Sequence, residues 1–475
     1  MKNIKNTLVV TALSAGLAAG TWSCQSVVEG HEVSPNAPTN VAAEQMLLGT
    51  ELALNVAMQG EAARMSGIFV GYFTGADRQY ISYEDYAVTS GDFNGFWGSA
   101  YAGVIKNCRV MQEKLTPLNN RMFIGVTQVM EAYAFGTLTS LFGDIPFSEA
   151  INDDIAAPAF DGQVSVYAGI QTILDDAIAN LQSGAGSIPS GDLYYGSNAA
   201  SWVELAYSLK ARYYLHVGDY ANALTAAGSG ISSAGTNLMG NIANSVRGWN
   251  LFFQFMYWDR EGYMTASDAY LPTLLAARSN AKTDELDRDL VYYARESDYP
   301  GGTYSGSIDP NWDPYFIGIG YFGYLSSIPM ISYAETQLIA AEAANREGDD
   351  LTAVTHLNNA RNANANMLLG FTGGLYGSGY QDYLLTDFAP GGIAADGTST
   401  SNSLLLEILE EAYITHYGTI EGFVDLNRTD NAIGVPSRTA TKAIPQRFLY
   451  PQAELNNNSN TPTGITLDDP TPVNQ

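Results

Sequence analysis

Two carboxylates in LFGDIPFSEA (residues 141–150) have the residue types of an acid–base pair. Asp144 and Glu149 flank Pro146, just after an apolar, helix-like run. A glycoside hydrolase needs two carboxylates facing each other across a cleft, and close sequence neighbours rarely do so. Gly and Pro commonly end a helix and fix the direction of the following chain. We therefore interpret Asp144 and Glu149 as turn or cap residues after a helix that ends near Phe142, with catalysis as the alternative.

Other catalytic patterns are scarce. A hydrolase function remains an alternative because of two further pairs of adjacent carboxylates: Asp175 with Asp176, and Glu410 with Glu411. The sequence has no HExxH, GxSxG or P-loop motif, and no Cys or His spacing typical of a metal site. His216 and His356 lie on predicted helices, where a packed or surface role is the commoner one. We predict a protein that is not an enzyme, without cofactor or metal, and leave Ca²⁺ in the Asp-rich loops as an alternative.

Aromatic side chains in Gly- and Asp-rich loops are the feature that indicates ligand binding. A flat ring stacks on the apolar face of a sugar while a nearby polar group bonds its hydroxyls, and the same geometry serves apolar peptide side chains. Single aromatic residues are more simply explained as core or loop anchors, but as a set in loops they predict a ligand-binding face. The candidates form three groups: Tyr80, Tyr83 and Tyr86; Trp249, Tyr257 and Trp258; and Trp312, Tyr315 and Tyr321.

Amphipathic helices must position these loops. Apolar residues recur at i, i+3, i+4 and i+7 in segments 41–59, 96–115 and 121–142. Segments 202–231 and 331–363 match the helix–turn–helix unit of tetratricopeptide repeats, with a Gly-Asp turn in each and small residues where the helices must approach closely. A weaker third candidate covers 166–181. The predicted fold class is all-α: a tetratricopeptide-like helical repeat scaffold whose long aromatic-rich, Gly/Asp-rich loops form a ligand-binding face.

The first residues predict export. Two lysines precede an apolar run that is too short to span a bilayer, and small residues precede Cys24 as in a lipoprotein signal. We predict a signal peptide over 1–23, lipidation of Cys24, a flexible tether over 24–40 and a single helical domain over 41–475. A plain secretory signal is the alternative.

Charge and cysteine content argue against a nucleic-acid-binding protein and against a disulfide-stabilised one. With 49 acidic and 22 basic residues the formal net charge is −27, which repels nucleic acid. Cys108 is the only cysteine besides Cys24, so the exported chain has no internal disulfide. Cys108 lies at helical spacing and is predicted to be a small buried hydrophobe.

Several of these stretches together resemble one family. They are Cys24, FGDIPFSEA (142–150), PMISYAETQLIAAEAANREGD (329–349), and EILEEAYITHYGTIEGFVDLNRTDNAIG followed by AIPQRFLYPQAELNNNSN (407–460). The chain resembles the SusD/RagB-like outer-membrane nutrient-binding lipoproteins of Bacteroidetes-type bacteria, and within them the subgroup with a Gly-Asp-Ile-Pro motif. The resemblance spans essentially the whole mature chain.

The resemblance implies a non-catalytic, surface-exposed lipoprotein in the outer membrane. Such a protein captures a nutrient, usually an oligosaccharide, and passes it to a SusC-like TonB-dependent transporter. It also implies a structural role for the C-terminal motif: Glu421 and Arg428 lie on one helix face, and an extended segment around Tyr450 lies on the body. The alternatives are capture of peptides, with Phe252, Phe253 and Phe255 as pocket linings, and an exported glycoside hydrolase.

Overall fold

Helices form most of the chain, as its hydrophobic periodicity predicts. The structure is a computed structural model that describes residues 41–245, 247–295, 308–310, 320–372, 379–396 and 398–475. The helices are α1 Ala43–Gln59, α2 Glu61–Phe69, α3 Gln79–Glu84, α4 Asn94–Gly98, α5 Lys106–Leu115, α6 Arg121–Phe142, α7 Gln163–Leu181, α8 Ala199–His216, α9 Tyr220–Ala227, α10 Leu251–Phe253, α11 Tyr270–Ala277, α12 Leu286–Tyr292, α13 Tyr333–Arg346, α14 Asp350–Thr372, α15 Thr400–Thr415, α16 Glu421–Arg428 and α17 Gln452–Asn457. The all-α prediction is confirmed.

Strands are short and tie loops together in antiparallel pairs. Their bounds are β1 Thr74–Gly75, β2 Leu238–Met239, β3 Met264–Thr265, β4 Tyr293–Arg295, β5 Ile308–Pro310 and β6 Pro329–Ile331. β1 pairs with β3, β2 with β6 and β4 with β5. The β1–β3 pair joins the loop after α2 to the loop before α11, with Thr74 opposite Thr265.

Two segments are wound as π-helix. One, Ser99–Ile105, lies between α4 and α5, so the helix predicted over 96–115 is present but changes its winding inside. The other, Gln254–Asp259, continues α10. Such turns are rare and often occur at functional sites.

The predicted helix pairs are present. α13 and α14 pack on each other, as do α8 and α9, with a glycine of positive φ at each turn: Gly348 at 85° and Gly218 at 71°. A left-handed residue at a helix end favours glycine because it has no Cβ to clash. Ala341 and Ala360 are fully buried between the helices, which confirms that small residues allow the close approach.

The C-terminal segment lies on the helical body, as the resemblance implies. The Phe448 N–H donates to the Leu141 carbonyl at 2.8 Å, and the Tyr450 hydroxyl donates to the Asp144 carbonyl at 2.8 Å. The Trp97 indole donates to Glu454 Oε1 at 3.1 Å. These bonds join the end of α6 and the region of α4 to residues more than three hundred positions away.

A buried charge cluster fixes α16 against the repeat helices. Glu421, at the start of α16, accepts from His216 Nε2 at 2.5 Å and lies 3.4 Å from Arg212 Nη1, both on α8. Arg428, at the end of α16, donates from Nη1 to Glu342 Oε1 of α13 at 2.8 Å. These contacts agree with the structural role predicted for Glu421 and Arg428.

Electrostatics in this cluster favour charged carboxylates. Burial alone would raise the pKa of Glu421, but the charges of Arg212 and His216 outweigh it and lower that pKa to about 2. Burial opposes the charged form of His416 as well, yet its contact with Asp425 raises its pKa above the ordinary value. The cluster is thus stabilising only while its carboxylates are ionised.

Residues 47–475 form one compact unit. Among the described residues no helix is both long and apolar enough to cross a membrane. Cys108 is fully buried in α5, as predicted, and burial raises the pKa of its thiol. The predictions for residues 1–23, for Cys24 and for the tether over 24–40 fall outside the described residues.

Gly136→Ala tests the close packing of α6 on α8. A Cβ at Gly136 would lie 2.0 Å from Cζ of Tyr213, so we expect this change to lower the free energy of unfolding by about 1–3 kcal/mol or more. Gly49→Ala is the control, because nothing lies within 4 Å of its added Cβ in α1. Alanine should raise stability there by up to about 1 kcal/mol. Equal changes in the free energy of unfolding for the two variants, measured in urea, would contradict close packing at Gly136.

Glu421→Gln tests the buried cluster. Glu421 has a lowered pKa, so its contribution is present above about pH 4.5 and is lost as pH falls toward about 2. We expect the variant to lose about 3–5 kcal/mol at neutral pH, because Arg212 and His216 lose their charged partner. The deficit should shrink as the pH falls below 4.5. Exposed Glu113→Gln is the control, and a deficit that stays constant down to about pH 3 would contradict the assignment.

Candidate functional site

The carboxylates of LFGDIPFSEA are structural. Asp144 Oδ1 accepts the backbone N–H of Gln163 at 2.8 Å, at the first residue of α7. Glu149 Oε2 accepts the backbone N–H of Ala159 at 2.7 Å, within the loop that leads to α7. The turn and cap interpretation is confirmed, and these carboxylates do not face each other across a cleft.

Three of the four carboxylates in the other two acid pairs form ion pairs. Asp175 pairs with Lys210 across α7 and α8. Arg278 lies 3.2 Å from both Glu410 and Glu411. Burial raises the pKa of Glu410 to about 7, whereas Arg288 and Arg278 outweigh burial and lower the pKa of Glu411 to about 2. Glu410 and Glu411 thus bind a buried arginine, whereas Asp175 and Asp176 are exposed on α7.

A possible metal-ligand cluster coincides with the buried charge cluster of α16. His216, Glu421 and Asp425 offer ligand atoms within 4.8 Å of one another, which their sequence spacing does not indicate. However, Asp425 accepts from Arg428 Nε at 2.7 Å and Glu421 lies close to Arg212. The positive charge that a cation would supply is already present, so the donor set does not fit a metal site.

The first predicted aromatic group is buried, which corrects the expectation of a binding platform. Tyr80, Tyr83 and Tyr86 have exposed fractions of 0%, 1% and 4%. Each hydroxyl has a partner inside the protein: Tyr80 accepts from Arg64 Nε at 2.9 Å, and Tyr83 donates to Glu61 Oε1 at 2.9 Å. The rings pack into the core because tyrosine has an apolar face and a polar end that the protein itself satisfies. They offer no surface to a ligand.

The second predicted group is on the surface. Trp258 is 55% exposed and Tyr257 is 47% exposed, while Trp249 is partly buried beneath them. The rings of Trp249 and Trp258 lie 5.9 Å apart in an edge-to-face arrangement, and Tyr257 stacks on Phe253 at 5.0 Å. With Tyr324, whose ring is 6.2 Å from that of Trp249, these five residues form what we call the aromatic patch.

Local structure explains why this patch is presented to solvent. Asn250 caps α10 by accepting from the N–H groups of Phe252 and Phe253, and its amide donates to the Ser326 carbonyl. The buried rings of Phe252 and Phe322 stack at 4.3 Å and anchor the segment from below. The π-helical turn that follows places Tyr257 and Trp258 outside.

The third predicted group lies mostly outside the described residues. Trp312 and Tyr315 fall outside the described residues, so they are not assigned to the site. Tyr321 is described and is buried against Tyr292 and Tyr417. The phenylalanines proposed for a peptide pocket, Phe252, Phe253 and Phe255, are also buried.

A cavity of about 290 Å³ is lined in part by the π-helical segment Gln254–Asp259. We call it the Arg64 pocket. Its apolar walls include Val56, Phe96, Leu251 and Phe255, and its polar groups are Glu61, Arg64, Ser99, Gln254 and Asp259. These polar residues were not predicted as a group, because they lie on separate elements: α2, the first π-helical segment and the second one.

The buried tyrosines hold the polar groups of this pocket in place. Arg64 donates from Nε to Tyr80, and its guanidinium lies 4.2 Å from the ring centroid of Phe255. Tyr83 holds Glu61 by the bond to Oε1. The first aromatic group therefore supports the pocket from inside instead of forming a surface.

A second cavity, of about 330 Å³, adjoins β2, β6 and the α13–α14 pair. Its polar side chains are largely occupied: Asn237 accepts from the Tyr333 N–H, Ser327 donates to the Gly240 carbonyl, and Asn364 donates to Glu411. The aromatic patch and the Arg64 pocket together are the better candidate for a ligand site.

Solved structures share this fold. A SusD/RagB family protein from Bacteroides thetaiotaomicron is 21% identical with a TM-score of 0.66, over 89% of this chain and 95% of that one. A SusD homologue from Bacteroides fragilis is 19% identical with a TM-score of 0.70, over 92% of this chain and all of that one. A chitin-binding SusD homologue from Flavobacterium johnsoniae is 18% identical with a TM-score of 0.65, over 87% and 94% of the two chains.

A family model agrees with the fold. No curated protein matches the sequence. Residues 35–270 match the SusD-like model described as starch-binding and associating with the outer membrane. Members of this family are binding proteins without catalysis, which confirms the prediction that the chain is not an enzyme. The match to that family model and the fold shared with solved SusD homologues lead to one conclusion: the chain belongs to the SusD-like family.

Proposed function

We propose that this protein is anchored by a lipid on Cys24 at the cell surface, captures oligosaccharides, and passes them to a SusC-like TonB-dependent transporter. The observation that carries the binding function is the aromatic patch, where Tyr257 and Trp258 remain about half exposed on a buried anchor. Large exposed aromatic rings commonly mark binding surfaces, and their faces suit the C–H faces of sugars.

The family supports this choice of ligand. Its model is described as starch-binding, and two of the structural neighbours are named as chitin-binding. Peptide capture has less support, because neither the family description nor these neighbours' names mention peptides, and Phe252, one of the three phenylalanines expected to line a peptide pocket, is fully buried against Phe322. A glycan that stacks on half-exposed rings buries little surface, so we expect modest affinity.

The export signal and the family description support the location. The model that residues 35–270 match is described as associating with the outer membrane, and a lipid on Cys24 would supply the attachment. The tether over 24–40 would then separate the lipid from the folded body that begins near α1.

Trp258→Ala tests glycan capture. Burying one face of a large aromatic ring contributes about 1.5–3 kcal/mol, so we expect at least about tenfold weaker binding in calorimetry against a panel of oligosaccharides. Leu351→Ala is the control, because Leu351 is 67% exposed on α14 outside the patch and its loss should change nothing. Glycan turnover, or binding of a peptide pool in place of every glycan, would reject the proposal.

Cys24→Ser tests the anchor. Without the thiol no lipid can be attached, so we expect the protein to leave the membrane fraction of the native host, whereas Ser23→Ala should stay in it. Intact cells treated with protease report the orientation, and loss of the wild-type protein is expected from a surface-exposed chain. Retention of the Cys24→Ser protein in the outer membrane would contradict lipid anchoring.

A further inference from the structure

The aromatic patch and the Arg64 pocket share one short segment. Residues 251–259 carry Tyr257 and Trp258 on the patch, and Leu251, Gln254, Phe255 and Asp259 on the wall of the pocket. Trp258 and Asp259 are neighbours in the chain, so their Cα atoms lie about 3.8 Å apart. The patch and the pocket are therefore adjacent at this point of the segment.

The pocket holds polar groups whose bonding capacity is not used inside the protein. Gln254 Oε1 is buried and has no hydrogen-bond partner among the described residues. Arg64 bonds through Nε to Tyr80, and no carboxylate of the described chain pairs with its terminal nitrogens. Glu61 uses Oε1 for Tyr83, which leaves Oε2 facing the side of Gly95. Buried polar atoms are normally bonded, so the unpaired Gln254 Oε1, with the partly exposed Arg64 and Glu61 beside it, indicates a site for a polar occupant.

The mixture of charges selects the chemistry of that occupant. An anionic group would meet Glu61 and Asp259, and a cationic group would meet Arg64. A hydroxyl both donates and accepts, so it can bond to the guanidinium and to the carboxylates at once. The chain as a whole carries 49 acidic against 22 basic residues, which further disfavours an anionic polymer.

The size of the cavity limits how much of a ligand can enter it. About 290 Å³ is at the small end of the range for ligand pockets, which suits one sugar ring rather than a length of chain. The walls formed by Phe96, Leu251 and Phe255 are apolar and would face the C–H groups of that ring.

We propose that the Arg64 pocket is a second subsite of the capture site and takes one uncharged, hydroxyl-bearing sugar residue while a neighbouring residue of the same oligosaccharide stacks on Trp258. This inference rests on the proposed function, because it assigns the pocket to the glycan that the patch holds. It restricts the ligand class to neutral glycans and excludes polymers of uronic acids.

Gly95→Leu tests the subsite by filling it. Gly95 lines the pocket from α4, and a Cβ there would come no closer than 3.9 Å to its nearest neighbour, Glu61 Oε2. The matched control is Gly98→Leu, on the same helix, outside the pocket lining and with nothing within 4 Å. Both leucines should preserve the fold, which thermal unfolding checks. The binding probes are maltohexaose, cellohexaose, xylohexaose, mannohexaose, N-acetylchitohexaose and hexagalacturonate, measured by calorimetry.

We expect at least one neutral hexasaccharide to bind the wild type, and Gly95→Leu to weaken that binding about tenfold or more while Gly98→Leu leaves it unchanged. Hexagalacturonate should not bind. Glu61→Gln, which keeps an acceptor for Tyr83, is a second variant and should weaken binding several-fold, because an amide oxygen is a weaker acceptor than a carboxylate.

Different failures have different meanings. If Gly95→Leu and Glu61→Gln bind like the wild type while Trp258→Ala does not, the subsite is wrong and glycan capture at the patch stands. Tighter binding of hexagalacturonate than of the neutral oligosaccharides overturns the ligand class. If no glycan in the panel binds, the proposed function and the subsite are overturned together.

Discussion

The pairing of α16 with the repeat helices is the interaction on which the rest of the structure depends. Glu421 contacts Arg212 and His216 of α8, and Arg428 contacts Glu342 of α13. A buried charge without its partner costs several kcal/mol, so the cluster tolerates only the arrangement in which both ends of α16 are paired. It joins helices that are far apart in sequence, and the C-terminal segment after α16 then lies on α6.

A second buried cluster acts in the same way on the other side of the α13–α15 region. Glu411 of α15 bonds to Arg288 at 2.8 Å and to Arg278, and the amide of Asn364 on α14 donates to Glu411 as well. Both clusters place guanidinium groups against carboxylates inside the protein. Arg64 differs, because an aromatic ring and a hydroxyl hold it and no carboxylate of the described residues pairs with its terminal nitrogens.

The helical body explains how a loop can present exposed aromatic rings. Residues 249–263 lack a sustained hydrophobic period, yet stacking of Phe252 on Phe322 and capping by Asn250 fix their backbone. A side chain positioned in this way loses less conformational freedom when a ligand binds than one on an unanchored loop. Tyr257 and Trp258 are therefore preorganised, and the Arg64 pocket, which the same segment lines, is positioned by the same anchor.

Hydrophobic periodicity predicted the helices over 41–59, 96–115 and 121–142, and the Gly-Asp turns and small residues predicted the repeat pairs, because both are local properties of the chain. The cap role of Asp144 and the burial of Cys108 could also be predicted from the sequence, since they depend on immediate neighbours. Which aromatic residues face solvent was decided only by the tertiary structure. Tyr80 and Trp258 occur in similar Gly- and Asp-rich surroundings, but Tyr80 is covered by Phe255 and Arg64 whereas Trp258 is 55% exposed. The Arg64 pocket likewise exists only after folding, because its polar groups come from three elements that the sequence keeps apart.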